Sequence, residues 1–173
     1  MLRFLILFFV LVIGLFALEI YEPIRQAVIL PFTSLLATIS ATIMQLFDPD
    51  VMAHGDVISS LSAATAVRIA PGCNGVEAVI ILFAAIFAFP APWKHRFVGF
   101  VLGFFAIQLL NLVRIISLFY LLQWDKNWFD WFHLYLWQAL IILDALVVWL
   151  IWLRYLPKHH PASLETPRTE SAP

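Results

Sequence analysis

Apolar stretches that could cross a lipid bilayer recur along most of this sequence, and they restrict its fold more than any other feature. A membrane-spanning helix needs about 20 predominantly apolar residues. We interpret residues 2–18, 24–47, 76–89, 97–122 and 133–153 as such spans. The chain is 63% hydrophobic and only 12% charged, whereas soluble domains are about 25% charged. We therefore predict an all-α polytopic membrane protein with about five transmembrane helices, forming one integral membrane domain over residues 1–156.

The remaining segments are short. Residues 51–70 contain a His-Gly-Asp turn signal and a stretch of alternating apolar residues, which predict a small extracytoplasmic β-hairpin. Residues 157–173 mix proline, serine, threonine and charged residues, so we predict a disordered tail. The first apolar run also resembles a signal peptide, but no small-x-small cleavage site follows, and a transmembrane helix is the preferred interpretation.

The distribution of lysine and arginine predicts the orientation. If all five runs span, the more basic side receives Arg25, Lys94, Arg96, Arg154, Lys158 and Arg168, and the other side receives Arg3, Arg68 and Lys126. The more basic side is then cytoplasmic, and the hairpin faces outward from a bacterial inner membrane. If residues 24–47 are instead re-entrant or interfacial, the N-terminus moves to the cytoplasmic side, and the sequence leaves both topologies open. The net charge of −1 provides no basic surface for nucleic acid.

Cys73 is the only cysteine, which excludes an intrachain disulfide and a multi-cysteine metal site. We predict neither a metal nor a cofactor. A Pro-Gly turn delivers Cys73 to the start of the helix predicted at 76–89, where backbone amides and the helix dipole favour a thiolate. Asn74 and Glu77, three residues apart, resemble a capping box that would begin this helix. The alternative is that a single cysteine in an apolar protein only fills core volume.

Two further side chains are predicted at the height of Cys73. Cys73 lies 17 residues before Pro90 and Arg114 lies 17 residues after Phe97, so each is about 26 Å above the loop between them at 1.5 Å per residue. The same calculation for the last span places His133 about 31 Å above the membrane side on which that loop lies. A charged group inside a span is rare and usually functional. Asn111, one turn before Arg114, shares its face of the helix.

Glu77 offers a different partner for Arg114. It lies one turn after Cys73, and an Arg114–Glu77 pair would be structural. The protein would then be a non-catalytic membrane assembly or binding subunit with an incidental cysteine. A third class is a small transporter in which Arg114, Asp144 and Glu77 line a path, although no inverted repeat supports it.

These residues together resemble a known family. A Cys-Asn-Gly sequence at 73–75, an Asn-Leu-Val-Arg sequence at 111–114 on the next helix and His133 at the start of the following one are similar to the exosortase/archaeosortase family. The resemblance covers roughly residues 51–152. The Pro-Gly-Cys-Asn-Gly-Val-Glu form at 71–77 is similar to the exosortase H branch, whose presumed substrates carry an IPTL-type C-terminal signal.

The resemblance implies a membrane cysteine protease or transpeptidase that removes or exchanges the C-terminal sorting signal of exported proteins. Its partners would be membrane-anchored proteins bearing that signal, surrounding membrane lipids and a lipid or glycan acceptor, but not nucleic acid. Cys73 would attack the scissile carbonyl to form a thioester. Arg114 would stabilise the thiolate or the oxyanion, and His133 would act as acid and base. Hydrolysis and transpeptidation stay open.

Overall fold

The computed structural model describes residues 1–156, so the tail predicted at 157–173 lies outside the described residues. Five helices and three strands follow one another along the chain. They are α1 (Leu2–Ile20), α2 (Glu22–Met44), β1 (Val51–His54), β2 (Val57–Ser60), β3 (Thr65–Arg68), α3 (Val76–Ala88), α4 (Trp93–Trp124) and α5 (Lys126–Arg154). Helices α2 and α5 contain π-helical turns at Arg25–Ile29 and Phe132–Leu136.

Four of the described helices, α1, α2, α4 and α5, are long and apolar enough to cross a membrane. The fifth, α3, has 13 residues. At 1.5 Å per residue it is about 20 Å long, less than the ~30 Å hydrocarbon core. It ends because Pro90 disfavours helical backbone at Phe89, which is extended. The predicted polytopic all-α class is confirmed, with α3 as a short apolar helix in place of a full-length span.

The segment predicted as a β-hairpin forms a three-stranded antiparallel sheet in the order β1-β2-β3. Strands β1 and β2 meet at a tight turn in which Gly55 has a φ of 60°, a left-handed conformation that favours glycine. The alternating stretch predicted to be a strand is β3, which pairs with β2 through Ile58 and Val67 and extends the hairpin to three strands. A third strand is needed because an isolated two-stranded hairpin is marginally stable. Val51 and Ile58 are fully buried and pack against α2.

Helices α3, α4 and α5 pack closely around two glycines of α4. A Cβ atom at Gly99 would overlap the indole of Trp152, and one at Gly103 would lie 2.5 Å from a methyl group of Leu82. Trp152 also donates a hydrogen bond from Nε1 to the His95 carbonyl at 3.0 Å. Small residues spaced by four are typical of close helix contacts in membranes. They hold α4 tightly between its two neighbours.

Helix α1 runs antiparallel to α3. The Phe4 ring contacts the rings of Phe89 and Trp149, with centroids 6.1 and 6.3 Å away. At the opposite end of α1, Glu19 lies close to Glu77, near the start of α3. The beginning of α1 is therefore at the same end of the molecule as the loop at 90–96, which we call the loop end. The opposite end, with the sheet, is called the Cys73 end.

Helix α2 stays at the Cys73 end, although its length and composition would allow it to cross. Glu22 in its first turn lines a cavity together with Glu77. Thr33, in its middle, accepts a hydrogen bond from Asn74 at 3.1 Å. Gln45, just after its end, donates to the first carbonyl of β1 at 2.8 Å. Because these contacts extend over the whole helix, they favour the interfacial or re-entrant alternative for residues 24–47.

Candidate active site

Cys73 lies in a compact loop between β3 and α3. Its backbone amide donates to the Ala70 carbonyl at 3.0 Å, closing a turn around Pro71. Gly72 and Gly75 have φ values of 87° and 76°, which L side chains rarely adopt. Two left-handed residues within four positions bend the chain sharply, so that the thiol leaves the sheet and turns toward α4.

Asn74 anchors this loop to its surroundings. It is 1% exposed, and its Nδ2 donates to the Thr33 hydroxyl of α2 at 3.1 Å. Its Oδ1 accepts from the Val76 amide, also at 3.1 Å. The predicted capping box is wrong by one residue, because Gly75, not Asn74, is the residue that precedes the first helical turn. Asn74 therefore ties the cysteine loop to α2 and also satisfies the first amide of α3.

Arg114 reaches Cys73 from the middle of α4. Its Nη2 lies 3.6 Å from Cys73 Sγ, and the residue is 1% exposed. Its Nε and Nη1 atoms have no hydrogen-bond partner among the described residues. A buried guanidinium without an anionic partner is costly. Arg114 therefore has two free donors beside the sulfur, available to a negatively charged group or a carbonyl oxygen.

His133 opens onto the same cavity as these two side chains. The cavity has a volume of about 300 Å³ and is closed by β3, α4 and the start of α5. Its lining residues are Ala66, Val67, Arg68, Ile69, Ala70, Cys73, Arg114, Ile115, Leu118, Leu122, Phe129 and His133. The structure thus brings the three side chains predicted at one height around one cavity. Their chemical roles stay predictions.

The imidazole of His133 is positioned by stacking on an aromatic ring and not by a hydrogen bond among the described residues. It stacks on Phe129, with centroids 5.5 Å apart and planes 4° from parallel. Nδ1 is buried and has no partner among the described residues. His133 lies in the π-helical turn Phe132–Leu136, and such turns occur frequently at functional sites. The ring is oriented while a nitrogen stays available for proton transfer.

The surroundings of Cys73 change the pKa of its thiol in opposite directions. Burial raises the pKa of its thiol, Arg114 lowers that pKa, and Glu77 raises it again, with burial as the largest effect. Among the described residues, its Sγ is hydrogen-bonded by Arg114 and not by an amide of α3. The largest effect is thus opposite to the lowering of the pKa expected at a helix start. Because only the thiolate is nucleophilic, the thiol has to lose its proton before it reacts.

The Arg114–Glu77 pair considered as an alternative is absent from the ion pairs of the described residues. Glu77 instead lies close to Glu19 on α1. Both line a cavity of about 800 Å³ on the α1 and α2 side of the cysteine loop. Glu77 therefore does not occupy the guanidinium in this structure.

Asn111 and Gln108 continue a polar stripe below Arg114 on α4. Asn111 is 2% exposed, and the amide oxygen and nitrogen of both residues have no hydrogen-bond partner among the described residues. A Cβ atom at Gly75 would lie 3.1 Å from Gln108 Nε2, so the stripe packs closely against the cysteine loop. The sequence reasoning missed Gln108. The signal for Gln108 was a polar residue at every third position of an apolar helix.

Among residues 1–156, no group of three or more histidine, cysteine, aspartate or glutamate side chains is arranged to hold a metal ion. Asp144, considered above for a transport path, lines a cavity between α4 and α5 that Arg114 and Asn111 also line, whereas Glu77 lines another cavity.

A family model described as Transmembrane exosortase (Exosortase_EpsH) matches residues 2–151. The chain belongs to the transmembrane exosortase family. The match extends beyond the region of the sequence resemblance and includes α1 and α2. No curated protein and no solved structure gives a match. Exosortase membership supports a membrane protein-sorting transpeptidase in general terms, as the resemblance implied.

Proposed function

We propose that this exosortase is a cysteine protease or transpeptidase that cleaves the C-terminal sorting signal from membrane-anchored proteins. The observation that carries this proposal is the 3.6 Å approach of Arg114 Nη2 to Cys73 Sγ, on a cavity that His133 also lines. A nucleophile, a fixed positive charge and a group able to transfer protons are the parts that acyl transfer requires. His133 is the candidate acid and base because arginine does not deprotonate.

In the first half-reaction, His133 takes the proton of the Cys73 thiol and Sγ attacks the scissile carbonyl carbon. The negative charge that forms on the carbonyl oxygen is stabilised by the free Nε or Nη1 donor of Arg114. The C–N bond then breaks, and His133 returns the proton to the leaving amine. The product is a thioester on Cys73 and a released C-terminal anchor.

In the second half-reaction, His133 removes a proton from an incoming nucleophile, which attacks the thioester and releases the Cys73 sulfur as a thiol. Water as the nucleophile gives proteolysis. An amine on a lipid or glycan gives transpeptidation. The Pro-Gly-Cys-Asn-Gly-Val-Glu form at 71–77 supports an IPTL-type signal on the substrate.

The charge distribution supports an outward-facing site in a bacterial inner membrane. With α1 antiparallel to α3 and α2 held at the Cys73 end, the loop end carries Arg3, Lys94, Arg96 and Arg154. The Cys73 end carries Arg25, Arg68 and Lys126, and each of these three pairs with a carboxylate. Relative to the five-span prediction, Arg25 and Arg3 exchange sides. The loop end is then more basic and cytoplasmic.

The decisive test compares the wild type with Cys73→Ser, which is nearly isosteric and lacks a good nucleophile. The substrate is a reporter protein that ends in an Ile-Pro-Thr-Leu motif, an apolar helix of about 20 residues and a cluster of arginines. We expect the wild type to release the reporter from its anchor and the serine variant to leave it intact. Mass spectrometry of the product identifies the cleaved bond and any attached acceptor.

Hydroxylamine provides a second readout, because it attacks thioesters and would release the reporter as a hydroxamate. Cys73 is the only cysteine, so a hydroxamate product would identify its thioester. Release of the reporter by the serine variant at the wild-type rate would eliminate the cysteine mechanism.

A further inference from the structure

Two cavities follow one another along the seam between α4 and α5. The first, of about 240 Å³, begins at Arg114 and Trp137. The second, of about 310 Å³, ends at His95 and Tyr155. Ile107 lines the first cavity and Ala106 the second, so they are consecutive on α4. From residue 98 to residue 114 the seam extends about 24 Å at 1.5 Å per residue, close to the ~30 Å thickness of the hydrocarbon core.

The upper end of this seam is polar and lacks partners. Asn111 and Arg114 are at least 98% buried and line the first cavity. Asn111 Oδ1 and Nδ2 and Arg114 Nε and Nη1 have no hydrogen-bond partner among the described residues. Lipid acyl chains cannot bond to any of these atoms, and unsatisfied polar groups are costly in a bilayer. A peptide group offers the carbonyl and the amide that a side-chain amide such as Asn111 can pair with.

The lower part of the seam is apolar and includes a small residue. Ala106 lines the second cavity and is exposed, and a small residue lets a further helix backbone approach closely. Leu102 of the second cavity and Leu110 of the first are 66% and 46% exposed. The seam thus combines a membrane-long apolar channel with polar groups that fit unwound backbone at its upper end.

We infer that the α4–α5 seam is the docking site for the membrane-spanning helix of the substrate protein. The helix lies along the seam with its C-terminal end at the loop end. The extended chain that precedes it pairs through its backbone with Asn111. Since Arg114 lines both the seam cavity and the Cys73 cavity, a chain that leaves the upper end of the seam reaches Sγ. This inference rests on the proposed function and names the surface that presents its substrate.

Site-specific photo-crosslinking tests this in the Cys73→Ser background, which retains the reporter. Benzoylphenylalanine is introduced singly at two seam positions, Leu110 of α4 and Leu143 of α5, which line the first cavity. The controls are their chain neighbours Leu109 and Ile142, at similar depth and more exposed. Ile142 lines a different cavity, against α1. We expect reporter crosslinks from the seam positions to exceed those from their neighbours several-fold.

Equal crosslinking at each pair, or stronger crosslinking at the neighbours, would overturn the docking site. A blocking variant gives a second measure. Ala106 is exposed and lines the second cavity, so Ala106→Trp should fill it and raise the KM for the reporter several-fold with little change in kcat. Phe105→Trp, outside the seam, should behave as the wild type. An unchanged KM in Ala106→Trp would also contradict the inference.

The cysteine mechanism and the docking site can be refuted independently of each other. Crosslinking reports binding without chemistry, whereas reporter release by Cys73→Ser would refute the cysteine mechanism whatever the crosslinking pattern is. Seam-specific crosslinks together with continued release would retain the docking site and remove the mechanism. Release that depends on Cys73, without seam-specific crosslinks, would retain the mechanism and remove the docking site.

Discussion

Replacing Arg114 by glutamine should slow formation of the thioester by about two to three orders of magnitude. At an effective dielectric constant of about 20, a guanidinium 3.6 Å from a thiolate contributes about 4.6 kcal/mol. Arg114 is 1% exposed, so solvent screens little of this energy. Glutamine keeps a neutral donor, and neutral hydrogen bonds have roughly half the strength of charge-assisted ones. A loss of about 3–4 kcal/mol corresponds to about 10²–10³ in rate, at 1.36 kcal/mol per decade.

The rate is measured as release of the IPTL reporter by purified enzyme in lipid vesicles. Arg114→Lys is the matched variant: it retains the positive charge and loses the planar fork, so its rate should lie between those of the wild type and the glutamine variant. Thermal unfolding of each variant checks that the helix packing survives. If the glutamine variant folds and releases the reporter at the wild-type rate, the electrostatic role assigned to Arg114 is wrong.

The reactivity of the thiol provides an independent assay of the same reasoning. A membrane-permeant maleimide reacts only with the thiolate of Cys73, the single cysteine. Arg114 lowers the pKa of Cys73 and Glu77 raises it. Removing Arg114 therefore raises this pKa further, and Arg114→Gln should move the alkylation profile to higher pH. Glu77→Gln should move it to lower pH. Shifts of the two variants in the same direction would refute the assignment of these charges.

Two further substitutions test the backbone of the cysteine loop and the proposed acid–base residue. Gly75→Ala forces a side chain into a φ of 76° and places its Cβ 3.1 Å from Gln108 Nε2, so it should lower the free energy of unfolding by about 1–2 kcal/mol. Gly14→Ala is the control because the space around Gly14 is open, and it should leave thermal unfolding nearly unchanged. If both alanine variants lower the free energy of unfolding equally, the argument from backbone strain at Gly75 is wrong. His133→Gln should reduce reporter release about 10²- to 10⁴-fold, as expected for loss of an acid–base group. If it releases the reporter at the wild-type rate, the proton transfer belongs to another group.

Several features of this protein follow from local rules that the sequence alone can supply. Long apolar runs dictate a polytopic helical protein, because backbone groups in lipid must be satisfied within a helix. The fixed helical rise put Cys73 and Arg114 level with each other, and their atoms lie 3.6 Å apart. Proline at 90 ended α3. The Cys-Asn-Gly sequence, the Asn-Leu-Val-Arg sequence and His133 together indicated the family that the family model then showed. The helical rise and the effect of proline on the preceding residue are local properties of the chain, and they do not depend on which segments pack nearby.

Other features depend on the partner that a side chain meets. Glu77 faces Glu19 instead of Arg114 because α1, distant in the chain, packs along α3. The pKa of the Cys73 thiol is raised because burial outweighs the charge of Arg114. Helix α2 was long enough to cross, and only its contacts with Asn74 and the sheet keep it at the Cys73 end. Helical periodicity determines the height of a residue in the membrane, whereas its partner, burial and charge state are determined by the segments that pack around it.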